Sequence, residues 1–236
     1  MHLSQIYISD DDDKLPPFLL HCQTVTQELI PHNSYCLYNN EMCRTFIKNN
    51  FSDCVLSSYD KLNPYAYRSD LARYCLLYEL GGWYLDIALK PLIRMQLKSE
   101  VQCLVFRECL SIAGGSWGIS NSALYTAPRN PIFLTAINLI VENSTNKYYG
   151  LNALDPTGPN LLGRALVLCN QIENTIFGDT LLLTPNSSNK NKAMVLPTGD
   201  IFAFSKPAAG GDLSALGAKG TNNYVNLYNL RQVYKQ

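Results

Sequence analysis

Residues 68–90 read RSDLARYCLLYELGGWYLDIALK. Leu71, Tyr74, Cys75 and Tyr78 recur at helical spacing, which predicts a helix over Tyr67–Leu80. Gly81 supplies the left-handed residue that ends such a helix. WYLDIAL then predicts a strand carrying one carboxylate, Asp86. Alternate residues of a strand share a face, so Asp86, Ala88 and Lys90 are expected to project together while Ile87 and Leu89 point into the core. Asp70 and Arg73, three apart on the helix, share a face as well. An exposed ion pair of small value is the competing reading for these two. The helix is apolar elsewhere, which argues that both charges point into something polar.

The flanking pattern is strand and helix in alternation. Residues 4–8 read as a first strand ended by the acidic loop DDDDK at 10–14. A helix follows Pro17 and stops at Pro31, SYCLYN at 34–39 reads as the second strand, and a helix capped by Asn39 or Asn40 comes next. Beyond the central stretch, VQCLVFREC is a strand and SIAGGSWGISNSALYTA a glycine-rich turn leading into another. NPIFLTAINLIVENS is a helix, and a further helix begins near Pro159. NSSNKNK at 186–192 reads as a polar loop, and the tail from 196 is rich in glycine, alanine and asparagine. This succession predicts parallel βαβ winding in a single α/β domain over 1–236, with 196–236 as a C-terminal lid.

Composition excludes several function classes. Lysine plus arginine equals aspartate plus glutamate at 19 each, so no global field draws the chain to nucleic acid, and an anionic ligand must be held by a local cluster. Eight cysteines show no C-x-x-C pair and read as reduced thiols, with Cys75 and Cys169 as small buried hydrophobes. The N-terminus lacks the pattern of a signal peptide, and no apolar run approaches the roughly 20 residues of a membrane span. A cytoplasmic protein, or one peripheral at the inner face of a membrane, is expected. Hydrolase chemistry finds no G-x-S-x-G elbow, and His2, His21 and His32 lack metal spacing.

RSDLARYCLLYELGGWYLD resembles the signature of the sugar transferases of glycosyltransferase family 32. LSQIYIS, the LPP that follows it, GISNSALYTAPRNPIF and DPTGPNLLGRAL match further segments of that family in order. The resemblance spans roughly residues 4–170, with a more distant similarity to the catalytic domains of the large clostridial glucosylating toxins. It implies the GT-A fold, a Rossmann-like, mostly parallel sheet flanked by helices. It also implies a nucleotide-sugar donor, UDP-linked, and a glycan or lipid-linked glycan acceptor, as in bacterial polysaccharide biosynthesis. Carried over residue by residue, Asp70 and Arg73 contact the donor sugar and Asp86 is the first acid of the DXD motif. Tyr7 stacks on the base and Ile8 reads its edge. Asn121 and Asp155 line the sugar or acceptor side, and Thr157, Gly158 and Pro159 shape the wall.

The departure is Ala88, where the family places a second acid that ligates Mn²⁺ or Mg²⁺. A methyl group cannot ligate a hard cation. The tail, AKGTNNYVNLYNLR, also lacks the histidine that many relatives offer to the metal. Whether Ala88 is natural or introduced stays open. The expectation is a retaining transferase that is metal-independent or weakly metal-dependent. Positive charge for the diphosphate would come from Lys90, Lys219 or Arg231, and hydrogen bonds from Asn222, Asn223 and Tyr224. The alternative is a catalytically silent module of the same fold that binds a nucleotide sugar or a glycan.

Overall fold

The structure is a computed structural model that describes residues 1–11, 14–170, 172–183, 192–205 and 213–235. Asp12 and Asp13 of the acidic loop, residues 186–191 of the polar loop and residues 206–212 of the tail therefore lie outside the described residues.

The N-terminal half runs β1 (His2–Ile6), α1 (Pro17–Leu29), β2 (Ser34–Tyr38), α2 (Asn40–Asn50), α3 (Asp53–Lys61), α4 (Tyr65–Leu80), β3 (Gly82–Leu85) and β4 (Lys90–Pro91). The second half runs β5 (Cys103–Arg107), α5 (Leu110–Ala113), β6 (Ile119–Thr126), α6 (Pro131–Thr145), α7 (Pro159–Cys169), β7 (Thr175–Leu182), β8 (Lys192–Val195), β9 (Ile201–Phe204) and α8 (Tyr224–Asn229). The strands form one sheet in the order β2-β1-β3-β6-β5-β7-β8-β9-β4.

Alternation along the strands divides the core in two. Tyr84, Cys103, Val105 and Leu124 face a helical layer of α2, α3, α4, α6 and α7. Trp83, Leu85, Leu104 and Phe106 face the other way, onto Leu3, Met194 and Phe202. Rings stack through this second layer, Trp83 and Phe106 each lying against Phe202. The helix α4 sits centrally and buries Tyr67 and every residue from Asp70 to Leu77. A helix that is buried on all sides has no solvent face, so whatever charge it carries must be answered inside the protein.

Three expectations are corrected. The sheet is mixed rather than mostly parallel: β1 is parallel to β2 and β3, and β5 to β7, but the other pairings are antiparallel. Short connections such as that from β8 to β9, closed by a Leu196 to Asp200 turn, leave no length for a parallel crossover. Next, WYLDIAL is not one strand. Pairing stops at Leu85, and the Leu89 amide donates to the Asp86 carbonyl at 2.9 Å, which makes 86–89 a turn. Ile87, Ala88 and Leu89 are all buried, so the expected sharing of a face by Asp86, Ala88 and Lys90 does not occur. Finally, α3, β4 and β7–β9 fall where no element was expected, the last three in a stretch dominated by polar and glycine residues.

The α4–β3 junction is tightly packed. Gly81 ends α4 at φ 61°, and Gly82 opens β3 at φ 84°. A Cβ on Gly82 would stand 2.1 Å from the His2 carbonyl oxygen of β1. Gly82→Ala is expected to destabilise the protein by about 3 kcal/mol, from backbone strain plus the forced separation of β1 and β3, read as a lowered urea midpoint.

Candidate functional site

The carboxyl ends of β1, β3 and β5 converge on one cleft, closed on the other side by the tail. Two compartments of about 680 Å³ and 770 Å³ of open space share Ala66, Arg73, Asp86, Ser122 and Ser205. Tyr7, Ile8, Tyr84, Ala88, Thr221 and Asn222 face the first compartment. Asp70, Glu108, Asn121, Gly158, Lys192 and Tyr224 face the second.

Arg73 forms the ridge between them. Its Nη1 lies 3.0 Å from Asp86 Oδ1 and also donates to the Asn121 carbonyl, while Nη2 lies 3.1 Å from Asp70 Oδ1. Nε donates to the Ser69 carbonyl at 3.2 Å, and the guanidinium stacks 4.5 Å from the Tyr84 ring centre. Burial works against its charge, but Asp86, Tyr84 and Asp70 together outweigh that cost and raise its pKa. The planar fork of arginine suits this three-way role; a lysine point charge does not.

Asp70 is fully enclosed. Its Oδ1 accepts from Asn121 Nδ2 at 2.8 Å and its Oδ2 from Thr157 Oγ1 at 2.7 Å. Burial pushes its carboxyl upward, against the opposing pull of Arg73 and of the Thr157 hydrogen bond. Asp86 is different: its side chain is 32% exposed, and Tyr84 Oη donates to its Oδ1 at 2.9 Å. One carboxylate oxygen, Oδ2, is thus left to face the cleft.

The sequence reading is placed unevenly. Tyr7, Ile8, Asp70, Arg73, Asp86, Asn121 and Asn222 come together in the cleft. Asn222 also accepts from the Tyr65 amide, which ties the tail to the start of α4. Lys219 is exposed and lines neither compartment, its carbonyl accepting from Ser9 Oγ at 2.6 Å. Asn223 is occupied as the cap of α8, accepting from Val225 and Asn226 amides. Arg231 does not reach the cleft; it stacks on Tyr149 at 4.5 Å. Lys90 pairs in β4 opposite Phe204, outside the cleft lining. Asp155 is spent on loop geometry, accepting from the Leu151 and Asn152 amides and from Asn160. Among the described residues, then, Lys90 and Arg231 are corrected as charge donors, because the β4–β9 pairing and the Tyr149 stack hold them elsewhere.

Sequence reasoning missed Glu108 and Lys192. Lys192 Nζ donates to both carboxylate oxygens of Glu108 at 3.0 and 2.9 Å, with Thr180 Oγ1 2.9 Å away. This buried pair forms across β5, β7 and β8. The usable signal was the strand CLVFR followed at once by Glu108, the same form as the strand followed by Asp86.

The protein offers few oxygens to a divalent cation here, which would rest on Asp86 Oδ2 and on the ligand's own phosphates. Ala88 is buried among Tyr7, Leu19, Ile87 and Ala218, and one oxygen of Asp86 is already held by Arg73 and Tyr84. Among the described residues, no three His, Cys, Asp or Glu side chains gather as ligands.

With this geometry in place, comparison with known proteins is informative. Residues 19–103 match the family described as the glycosyltransferase sugar-binding region containing a DXD motif. The region runs from α1 through α4 and the Asp86 turn to the first residue of β5, and so includes the Arg73 ridge. The chain is 28% identical over 121 residues to an uncharacterized glycosyltransferase of Acanthamoeba polyphaga mimivirus, covering 47% of each. It is 29% identical over 142 residues to a mannosyl phosphorylinositol ceramide synthase of Saccharomyces cerevisiae, covering 56% of this chain and 34% of that one. The matches thus span less than half the length of either relative. In fold it is similar to the PaToxG glycosyltransferase, with a TM-score of 0.56 and 17% identity over 71% of this chain and 68% of that one. The GT-A expectation is met at the level of fold.

Arg73→Ala would leave Asp70 facing Asp86 with no cation between them. The expected cost is about 3–5 kcal/mol of unfolding free energy in urea titration, with Arg73→Lys recovering only part of it.

Proposed function

We propose that the chain is a single sugar-transfer domain that takes a nucleotide sugar, UDP-linked, and passes the sugar to a hydroxyl with retention of configuration. The observation that carries this reading is the Arg73–Asp86 ridge, which divides one cleft into two unlike halves. The Tyr7 half suits a planar base and ribose. The Asp70, Asn121 and Glu108 half offers the dense polar lining that sugar hydroxyls need. The diphosphate then lies across the ridge, beside Arg73 and beneath the tail that carries Lys219 and Asn222.

In this reading the acceptor oxygen bonds to the anomeric carbon on the face from which the diphosphate departs. The bond from that carbon to the phosphate oxygen breaks, and the acceptor proton passes to the leaving phosphate. No protein base is assigned. Asp70 and Asn121 orient the sugar, and Arg73 holds Asp86 in place while opposing the charge that develops on the leaving group. The acceptor is a glycan or a lipid-borne headgroup; the name of the yeast relative favours the second.

The described cleft lining holds three carboxylates, Asp70, Asp86 and Glu108, against two cations, Arg73 and Lys192. That shortfall favours a second reading, a silent module that binds a neutral glycan. Calorimetry with UDP and a donor-hydrolysis assay separate the two. The transferase reading expects UDP to bind and donor to turn over in EDTA, with turnover falling at least about 100-fold in Asp86→Ala. Turnover that needs added Mn²⁺ would overturn the metal-free version, and glycan binding without turnover would establish the module. Lys219→Ala is expected to weaken UDP about tenfold while leaving uridine unchanged, because an exposed ammonium acts on the phosphates alone.

A further inference from the structure

On the far side of the 150–158 segment from the cleft lies an apolar hollow. Trp117, Tyr148, Leu151, Val167 and Leu168 line it, together with Arg164 and Asp155. Leu151 is 90% exposed, and Val167 and Leu168 are nearly two-thirds exposed. Single exposed leucines need no explanation, but a contiguous group of this size on a monomer marks a surface with an occupant.

Leu151 is also held outward rather than left loose. The Asp155 carboxylate accepts from its amide and from that of Asn152, and Asn160 Nδ2 donates to the same carboxylate at 2.8 Å. The acid of the hollow is thereby consumed inward. Cations stand nearby: Arg164 stacks 5.4 Å from the Tyr148 ring, exposed Lys147 precedes Tyr148, and exposed Arg231 stacks on the next residue, Tyr149. A half-exposed tryptophan beside leucines, with basic residues at the edge, is the composition that settles at the boundary between headgroups and acyl chains. No helix among the described residues is long and apolar enough to cross a membrane, so any contact of these residues with a bilayer is through a surface.

We propose that this hollow docks the protein on an anionic lipid surface, with Trp117, Leu151 and Leu168 entering the interface and Lys147, Arg164 and Arg231 meeting the headgroups. The segment that presents Leu151 outward also presents Ala153 and Leu154 to the cleft. Docking does not depend on sugar transfer.

The test is co-sedimentation of the full chain with phosphatidylcholine vesicles, with and without phosphatidylserine. Wild type is expected to sediment with the phosphatidylserine vesicles and to be released by salt. Leu151→Glu is expected to lose at least about tenfold in partitioning, and Lys147→Gln about fivefold. Both positions are exposed, so folding is untouched, and unchanged UDP binding by the variants would separate this role from the cleft. Failure of wild type to sediment with either vesicle, or equal partitioning of Leu151→Glu and wild type, would overturn the proposal. So would a dimer that Leu151→Glu converts to a monomer, which would assign the hollow to a second copy.

Discussion

The site depends on a guanidinium buried between two carboxylates. Arg73 is 4% exposed and answers Asp70 within its own helix and Asp86 just past the end of β3. Ionised groups withdrawn from water in this way cost several kcal/mol each unless geometry and hydrogen bonding are complete. Here they are nearly so: every nitrogen of Arg73 has a partner, and both oxygens of Asp70 do. The arrangement contributes little net stability. It fixes the distance between α4 and the end of β3, and therefore the shape of the cleft between them.

That constraint explains why the strands on either side end where they do. Asp86 leaves the sheet to meet Arg73, its amide still held by the Ser122 carbonyl of β6, and the chain turns at once. Asn121, the neighbour of Ser122, accepts from Arg73 through its backbone and donates to Asp70 through its side chain. One strand of the sheet thus reaches both acids. The second ion pair, Glu108 with Lys192, sits at the end of β5 and encloses the far wall of the same cleft.

How much of this could be read from the chain depended on sequence distance. Asp70, Arg73 and Asp86 lie within one short stretch; spacing put the first two on one helix face, and the family resemblance joined Asp86 to them. Glu108 and Lys192 are 84 residues apart and meet through the β5–β7–β8 register, which no local pattern encodes. The break after Leu85 was hidden for another reason. Three consecutive apolar residues, Ile87, Ala88 and Leu89, look the same in a strand and in a buried turn, and the hydrogen bond from Leu89 to Asp86 separates the two. The displaced Lys90 follows from that misreading. Arg231 was misplaced because a basic tail looks alike whether it covers phosphates or rests on tyrosine rings.

Ala88 has a consequence for how such a protein can change. Its methyl packs with Tyr7, Leu19, Ile87 and Ala218 on one side and faces the first compartment, beside Asp86, on the other. A lone replacement by aspartate would exchange part of that apolar packing for a carboxylate at the cleft wall. Any single step back toward a two-acid motif therefore loosens the joint between the first strand, the first helix and the tail.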